Sequence, residues 1–190
     1  MGLEYGREWT NKGKGMIAMQ RIMVVGASAG AGKSTFARQL SEKLHIPVHH
    51  LDTMYWKPDW IEEDKAIFIE KQQEIVQTHS WIIEGNYSST FEGRVNRADT
   101  IIYIDQPLLI CLYRVVKRRF MYHGKSRPDL TKGCREQLDP GFLWYILKTY
   151  YPRKRTMKNR LAEFELKRKQ NRVHILTRTK EIEHFLEQLN

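Results

Sequence analysis

Apolar residues along this chain fall into two patterns, short and mostly apolar runs and longer stretches where they recur every three or four positions. The short runs are Ile22 to Val25, Val48 to Leu51, Trp81 to Ile83, Thr100 to Ile104 and Arg172 to Thr177. Runs of this length, bounded by turn residues, read as buried strands of a parallel sheet. Between them, Phe36, Ala37, Leu40 and Leu44 mark a first helix, and Phe68, Ile69, Ile75 and Val76 one face of a second over Glu62 to His79. Pro107 begins a third at a favoured first position. Gly141 to Tyr150 is helical, Tyr151-Pro152 interrupts or kinks it, and a basic helix continues to about Gln170. Ile182, Phe185, Leu186 and Leu189 give Thr179 to Leu189 an amphipathic face. Ser88 to Arg97 reads as a polar loop, and Met121 to Leu138 as an aperiodic, mobile one. Alternating strands and helices with about five strands predict one α/β domain with right-handed crossovers.

One junction in this pattern carries chemistry. The first strand runs into small residues only, Gly26 to Gly32, and then Lys33, Ser34 and Thr35 open the first helix. Strand, small-residue loop, Lys-Ser and helix together make a P-loop, whose backbone N–H groups wrap a polyphosphate because no side chains stand in the way. Gly30, Ala31, Gly32, Lys33, Ser34 and Thr35 are the expected nucleotide contacts, with Lys33 on the β- and γ-phosphates and the Ser34 hydroxyl on Mg²⁺. The loop departs from the usual pattern once: Ala27 stands where the first glycine belongs. Alanine is tolerated there if the position is helical or extended, with Gly26 and Gly30 left to make the turn.

Composition narrows the setting. The chain has 190 residues and a net charge of +10, concentrated between Arg114 and Arg172, where 18 Lys and Arg face 5 Asp and Glu. Such a segment suits an anionic partner, the phosphates of a small substrate or nucleic acid, or else a solvated helix face. No apolar run approaches a membrane span and no apolar signal core opens the chain, so a cytoplasmic protein is expected. Cys111 and Cys134 are too few and too far apart for a disulfide scaffold. Residues 1–20 are polar and aperiodic, and are expected to be disordered. Lys12-Gly-Lys-Gly15 would be encoded by purine-rich codons, as a ribosome-binding site is, so the natural start is expected at Met16 or Met19 rather than Met1.

Further candidates sit where the strands end, since open parallel sheets bind ligands beyond their carboxyl ends. Asp52 follows the second strand, as a site carboxylate or as a turn residue. Tyr55, Trp56 and Trp60 come next, to stack a ring-shaped acceptor or to form the loop's own small core. Glu84 ends the third strand, where it would support Mg²⁺ through its water shell or contact the acceptor. Arg114 and Arg118 are four apart on one helix, so both can point into one pocket.

The order of these pieces resembles the nucleoside monophosphate kinase branch of P-loop proteins, with adenylate kinase as the familiar member. The likeness rests on Trp81-Ile-Ile-Glu84-Gly85, on Ala98 to Pro107 followed by Arg114-Val-Val-Lys-Arg118-Arg119, on Tyr151-Pro-Arg153-Lys-Arg155, and on Thr177-Arg-Thr-Lys180. More closely, Leu51-Asp52, Tyr55-Trp-Lys-Pro-Asp-Trp60 and Glu84-Gly-Asn-Tyr87 are similar to the adenylate-kinase-related proteins called DNA topology modulation proteins.

The resemblance implies a three-layer α/β/α P-loop NTPase fold with strand order 2-3-1-4-5 and a lid near residues 121–140. It places Arg153 among the cations after the lid and Arg178 beside the adenine. An acceptor-gripping arginine of adenylate kinases is missing after Gly85, and Arg94 and Arg97 are its nearest substitutes. Asp52 is similar instead to the acid that shikimate and gluconate kinases place on an acceptor hydroxyl. One Cys and His123 in the lid segment are too few for a four-ligand zinc lid.

Phosphoryl transfer from ATP with Mg²⁺ to a small acceptor is therefore expected, with Lys33, Asp52, Arg114, Arg118 and Arg153 as catalytic residues, Arg114 and Arg178 also touching the nucleotide, and Ser34 and Glu84 serving the metal. The alternative is a regulatory nucleotide-binding ATPase whose basic segment contacts nucleic acid. The expected assembly is a monomer or a dimer, away from any membrane.

Overall fold

The computed structural model describes residues 19–122, 130–134 and 139–189. The expectations for the leader before Met19, and for positions 123–129 and 135–138 of the lid, lie outside the described residues. Five strands form one sheet: β1 (Arg21–Gly26), β2 (Val48–His50), β5 (Trp81–Glu84), β6 (Thr100–Ile104) and β7 (Arg172–Leu176). Every neighbouring pair is parallel. Their spatial order is β2-β5-β1-β6-β7, which is 2-3-1-4-5 when the strands of this sheet are counted alone. A separate antiparallel hairpin joins β3 (Trp56–Lys57) to β4 (Ile61–Glu62).

The three layers follow from the two-residue period of the strands. Met23 and Val25 of β1, Trp81 and Ile83 of β5, and Ile101 and Tyr103 of β6 point to one face. They meet Phe68 and Val76 of α3 (Lys65–Gln77), Phe91 of α4 (Phe91–Val95), and Tyr150, Met157, Leu161 and Phe164 of α6 (Pro140–Lys167). The alternate residues, Ile22, Val24, Ile82, Ile102 and Ile104, point to the other face. There they pack on Phe36, Ala37 and Leu40 of α1 (Lys33–Leu44) and on Ile182 and Phe185 of α7 (Thr179–Glu187). Each such buried aliphatic or aromatic side chain contributes roughly 1.5–3 kcal/mol.

Several local expectations are corrected. Ser88 to Arg97 is not a polar loop: a 3₁₀ turn at Ser88–Thr90 leads into α4, because Phe91 and Val95 are buried beneath it. The second strand stops at His50, and Leu51 begins a short helix, α2 (Leu51–Tyr55). Pro107 caps α5 (Leu108–Met121) rather than occupying its first turn. Tyr151-Pro152 does not interrupt α6, which runs as one helix through Pro152. Its apolar stripe of Tyr150, Met157 and Leu161 spans the proline and holds both halves to the sheet. In the lid segment, Leu130 and Cys134 are buried.

What this topology delivers is a set of neighbours. β5 lies between β2 and β1, with His50 and Val24 both in register with Glu84. The ends of those three strands therefore bring the small-residue loop, Asp52 and Glu84 to one edge.

Candidate active site

Between β1 and α1 the loop is held by backbone contacts on all sides. Ala27 fits its place: its φ is not positive, its N–H donates to the Ile104 carbonyl at 3.0 Å, and its methyl group joins the core. Gly30 has φ +77°, and a Cβ there would lie 2.2 Å from the Cys111 carbonyl oxygen of α5. At Gly26 a Cβ would lie 2.8 Å from Cγ of Lys33, whose stem folds back over the loop. Asn86 fastens Gly26 in both directions, accepting from its N–H at 3.0 Å and donating to its carbonyl at 2.8 Å. From the other side Arg114 donates to the Ala31 carbonyl at 3.1 Å, and its second nitrogen reaches the Thr179 hydroxyl at 3.5 Å.

The Lys33 ammonium donates to the Ser28 carbonyl at 3.3 Å and stands 3.9 Å from Glu84 Oε1. Glu84 is buried, and its other oxygen lies 2.9 Å from His50 Nδ1. Ser34 and Thr35 are in the first turn of α1, whose unpaired N–H groups add positive potential.

Above the loop opens a cleft of about 590 Å³, within the range of small-molecule sites. Lys33 from the loop, Arg118 from α5 and Arg153 from α6 line it together with Asp52, Glu84, Asn86 and Tyr87. Asp52 Oδ1 accepts a hydrogen bond from the Tyr87 hydroxyl at 2.7 Å. Burial, and then the charge of Asp52, push the Tyr87 phenol far above its ordinary pKa, so it stays a donor.

The aromatic group divides between the two roles read from the sequence. Tyr55 turns inward, its ring centroid 5.1 Å from Phe68 and 4.9 Å from Tyr87. Trp56 and Trp60 meet edge to face at 5.4 Å and line the cleft. Asp59 and Trp60 both hold φ at 61°, the left-handed region that bulky side chains avoid. Each costs on the order of 1–3 kcal/mol, which the surroundings of the hairpin must offset.

Phe142 and Tyr145, one helical turn apart on α6, also line the cleft, and Arg153 lies 4.8 Å from the Tyr145 ring centre. These two, together with Asn86, Tyr87 and His50, were missed by sequence reasoning. The Asn86-Tyr87 pair directly after Glu84-Gly85 was the available signal for two of them.

Other expected residues lie elsewhere. Arg114 braces the loop and is not among the cleft residues. Arg178 is also outside the cleft, at the N-cap of α7. Arg94 grips no acceptor: it is buried and donates to the carbonyls of Gly85 at 3.1 Å, Tyr87 at 2.6 Å and Thr90 at 3.3 Å. Burial, aided by Arg160, lowers its pKa to about 10, so it remains a cation that shapes the turn after β5. Arg97 is at the opposite end of the sheet, bonded to Gln77 and beside Arg21 and Asp99. In the basic segment, Lys154 pairs with Asp105 at 2.9 Å, Arg160 lies over Phe91 at 4.4 Å, and Lys167 and Arg168 bind Asn96. These four cations fasten α6 and its C-cap to the body of the protein.

The residues suit a magnesium triphosphate. The first turn of α1 leaves N–H groups unpaired beside Lys33 and the Ser34 hydroxyl. A Cβ at Gly26 or Gly30 would collide with the Lys33 stem or the Cys111 carbonyl, so the loop's course requires glycine there. Among the described residues no three His, Cys, Asp or Glu side chains converge as a metal cage. Magnesium needs none, since it keeps several waters and takes one or two protein ligands plus phosphate oxygens.

Fold and loop together define the class: this is the three-layer α/β/α fold of P-loop kinases. Among solved structures it is similar to shikimate kinase from Acinetobacter baumannii in complex with shikimate, with a TM-score of 0.51, 16% identity and 90% of each chain covered. It is also similar to shikimate kinase from Bacteroides thetaiotaomicron, with a TM-score of 0.50, 20% identity, and coverage of 90% of this chain and 97% of that one. Among curated proteins, a uridine kinase from Haemophilus ducreyi is 34% identical over 65 residues, which cover 34% of this chain and 30% of that relative. No family model matches the chain. Among the described residues no helix is long and apolar enough to cross a membrane.

Proposed function

We propose that the protein transfers the γ-phosphoryl group of ATP to a small acceptor bound in the cleft. The observation that carries this reading is the meeting of Lys33, Arg118 and Arg153 with Asp52 around one cavity above the loop. Phosphoryl transfer asks for in-line positioning and for positive charge around the transferred group, and less for covalent chemistry.

The N–H groups of Gly30 through Thr35 would cradle the phosphates. Lys33 would leave the Ser28 carbonyl to reach the β- and γ-oxygens, while Arg118 and Arg153 neutralise charge on the group in flight. Asp52, oriented by Tyr87, would take the proton of the acceptor hydroxyl. Arg114 acts through the loop, holding the Ala31 carbonyl so that the amides face inward, and Arg178 would lie toward the base. The Ser34 hydroxyl would hold Mg²⁺ and Glu84 would support its waters, and the ion would supply positive charge to the triphosphate. The likeness to the DNA topology modulation proteins belongs to this same reading, as a kinase-like relative of adenylate kinase.

A coupled ADP-release assay with Mg·ATP and a panel of hydroxyl-bearing acceptors tests it. Acceptor-dependent release is expected from the native protein and not from Lys33→Ala; equal release from both ends the proposal.

A further inference from the structure

The class of acceptor can be named from the chemistry of the cleft, on the footing of the phosphotransfer reading above. The cations that line it, Lys33, Arg118 and Arg153, come from the loop, α5 and α6. The segments from Asp52 to Trp60 and from Glu84 to Ser88 contribute two carboxylates, a phenol, an amide, a hydroxyl and two indoles to the lining, and no cation. The two described arginines that follow Gly85 in sequence are engaged elsewhere, Arg94 on buried carbonyls and Arg97 at the far end of the sheet. Lys57 of the hairpin is exposed and pairs with Glu63 at 2.7 Å. An acceptor carrying its own phosphate or carboxylate would meet the Asp52 carboxylate on this side and no lining cation from these two segments. It would also compete with the triphosphate for the cations on the other.

What this side offers instead is an indole face with polar groups at its edge. Trp60 is aimed into the cleft by two consecutive left-handed residues. Such strain is retained where a side chain must point in one direction. The hairpin is also held from the lid segment: Thr131 bonds the carbonyls of Thr53 and Trp56, and Cys134 Sγ lies 3.1 Å from the Lys57 carbonyl. Phe142 and Tyr145 add two further rings to the same lining.

We infer that the acceptor is a neutral, hydroxyl-bearing compound with a planar aromatic ring, a nucleoside rather than a nucleoside monophosphate or a hydroxylated acid. The base stacks on the Trp60 indole, and a sugar hydroxyl is received by the Asp52–Tyr87 pair. In the transfer the hydroxyl oxygen bonds to the γ-phosphorus, and the bond from that phosphorus to the β,γ-bridging oxygen breaks. ADP departs with the electron pair, and the hydroxyl proton goes to the Asp52 carboxylate.

The test compares ADP release from Mg·ATP with uridine, cytidine, thymidine, adenosine and guanosine, with their 5′-monophosphates, and with shikimate and gluconate. At least one nucleoside is expected to stimulate release strongly, and its monophosphate and the two acids are not. Trp60→Ala should then raise the KM for that nucleoside about tenfold, the scale of one base–aromatic stack, and leave the KM for ATP unchanged. Trp60→Phe, which keeps a ring, should restore most of the loss and also serves if the alanine variant does not fold. Stimulation by monophosphates or acids but by no nucleoside overturns the acceptor class and leaves the kinase reading standing. Mg·ATP binding without stimulation by any nucleoside overturns it as well. A native protein that binds no Mg·ATP removes both readings together.

Discussion

The phosphate-binding loop and the aromatic wall face the same cleft, yet they are built by opposite means. The loop is contiguous, nearly free of side chains, and set by bonds from its backbone to the Ile104 carbonyl and to the side chains of Asn86 and Arg114. The wall is assembled from side chains of α2, the β3–β4 hairpin, the turn after β5 and α6, and it holds two residues in left-handed backbone. On the proposed reading, a loop made of amides recognises what every triphosphate shares, and a wall made of scattered rings and one carboxylate–phenol pair selects among acceptors. Its rings can change without disturbing the loop, whereas Asn86 and Glu84 tie the two sides together.

Substitutions on each side should separate the two. Lys33→Ala removes the one charge the loop itself supplies, and turnover should fall on the order of 10³-fold at temperatures where the variant is still folded. Some stability should also be lost, because buried Glu84 is left without its ammonium partner. On the same side, Gly30→Ala drives a Cβ toward the Cys111 carbonyl, and should cost about 3 kcal/mol in urea-unfolding stability. Asp52→Asn, on the wall, should lower kcat on the order of 10²-fold while KM for ATP stays the same. If KM for ATP rises as much as kcat falls, the two sides are not separable. Arg94→Met leaves the carbonyls of Gly85, Tyr87 and Thr90 without their donor, and should cost about 2 kcal/mol of stability. The smallest effect belongs to Arg97→Ala at the far end of the sheet: a change within about 0.5 kcal/mol in stability, and no change in KM for any acceptor.

The same contrast explains what could be read in advance. The strands and their alternation with helices were legible because each strand is a compact apolar run, while the strand order and the three layers were what the resemblance to P-loop proteins implied. Gly26 to Thr35 was legible because its chemistry lies in consecutive positions. The wall was legible only in part: Asp52, Trp56 and Trp60 lie close together in sequence, but Tyr87, Phe142 and Tyr145 are brought to them only by the folded sheet and by α6. Burial decided the arginines: nothing in Phe91-Glu-Gly-Arg94-Val marks Arg94 as interior, and a five-residue helix containing glycine has too little periodicity to be recognised. Pro152 misled in the other direction, because the buried stripe on both sides of it holds α6 together.

Calorimetric titration with Mg²⁺ and a non-hydrolysable ATP analogue, run on the native protein, Lys33→Ala and Asp52→Asn, tests the division most directly. Binding should be lost in Lys33→Ala and retained in Asp52→Asn. Equal affinity in all three proteins would show that the loop is not where the triphosphate binds.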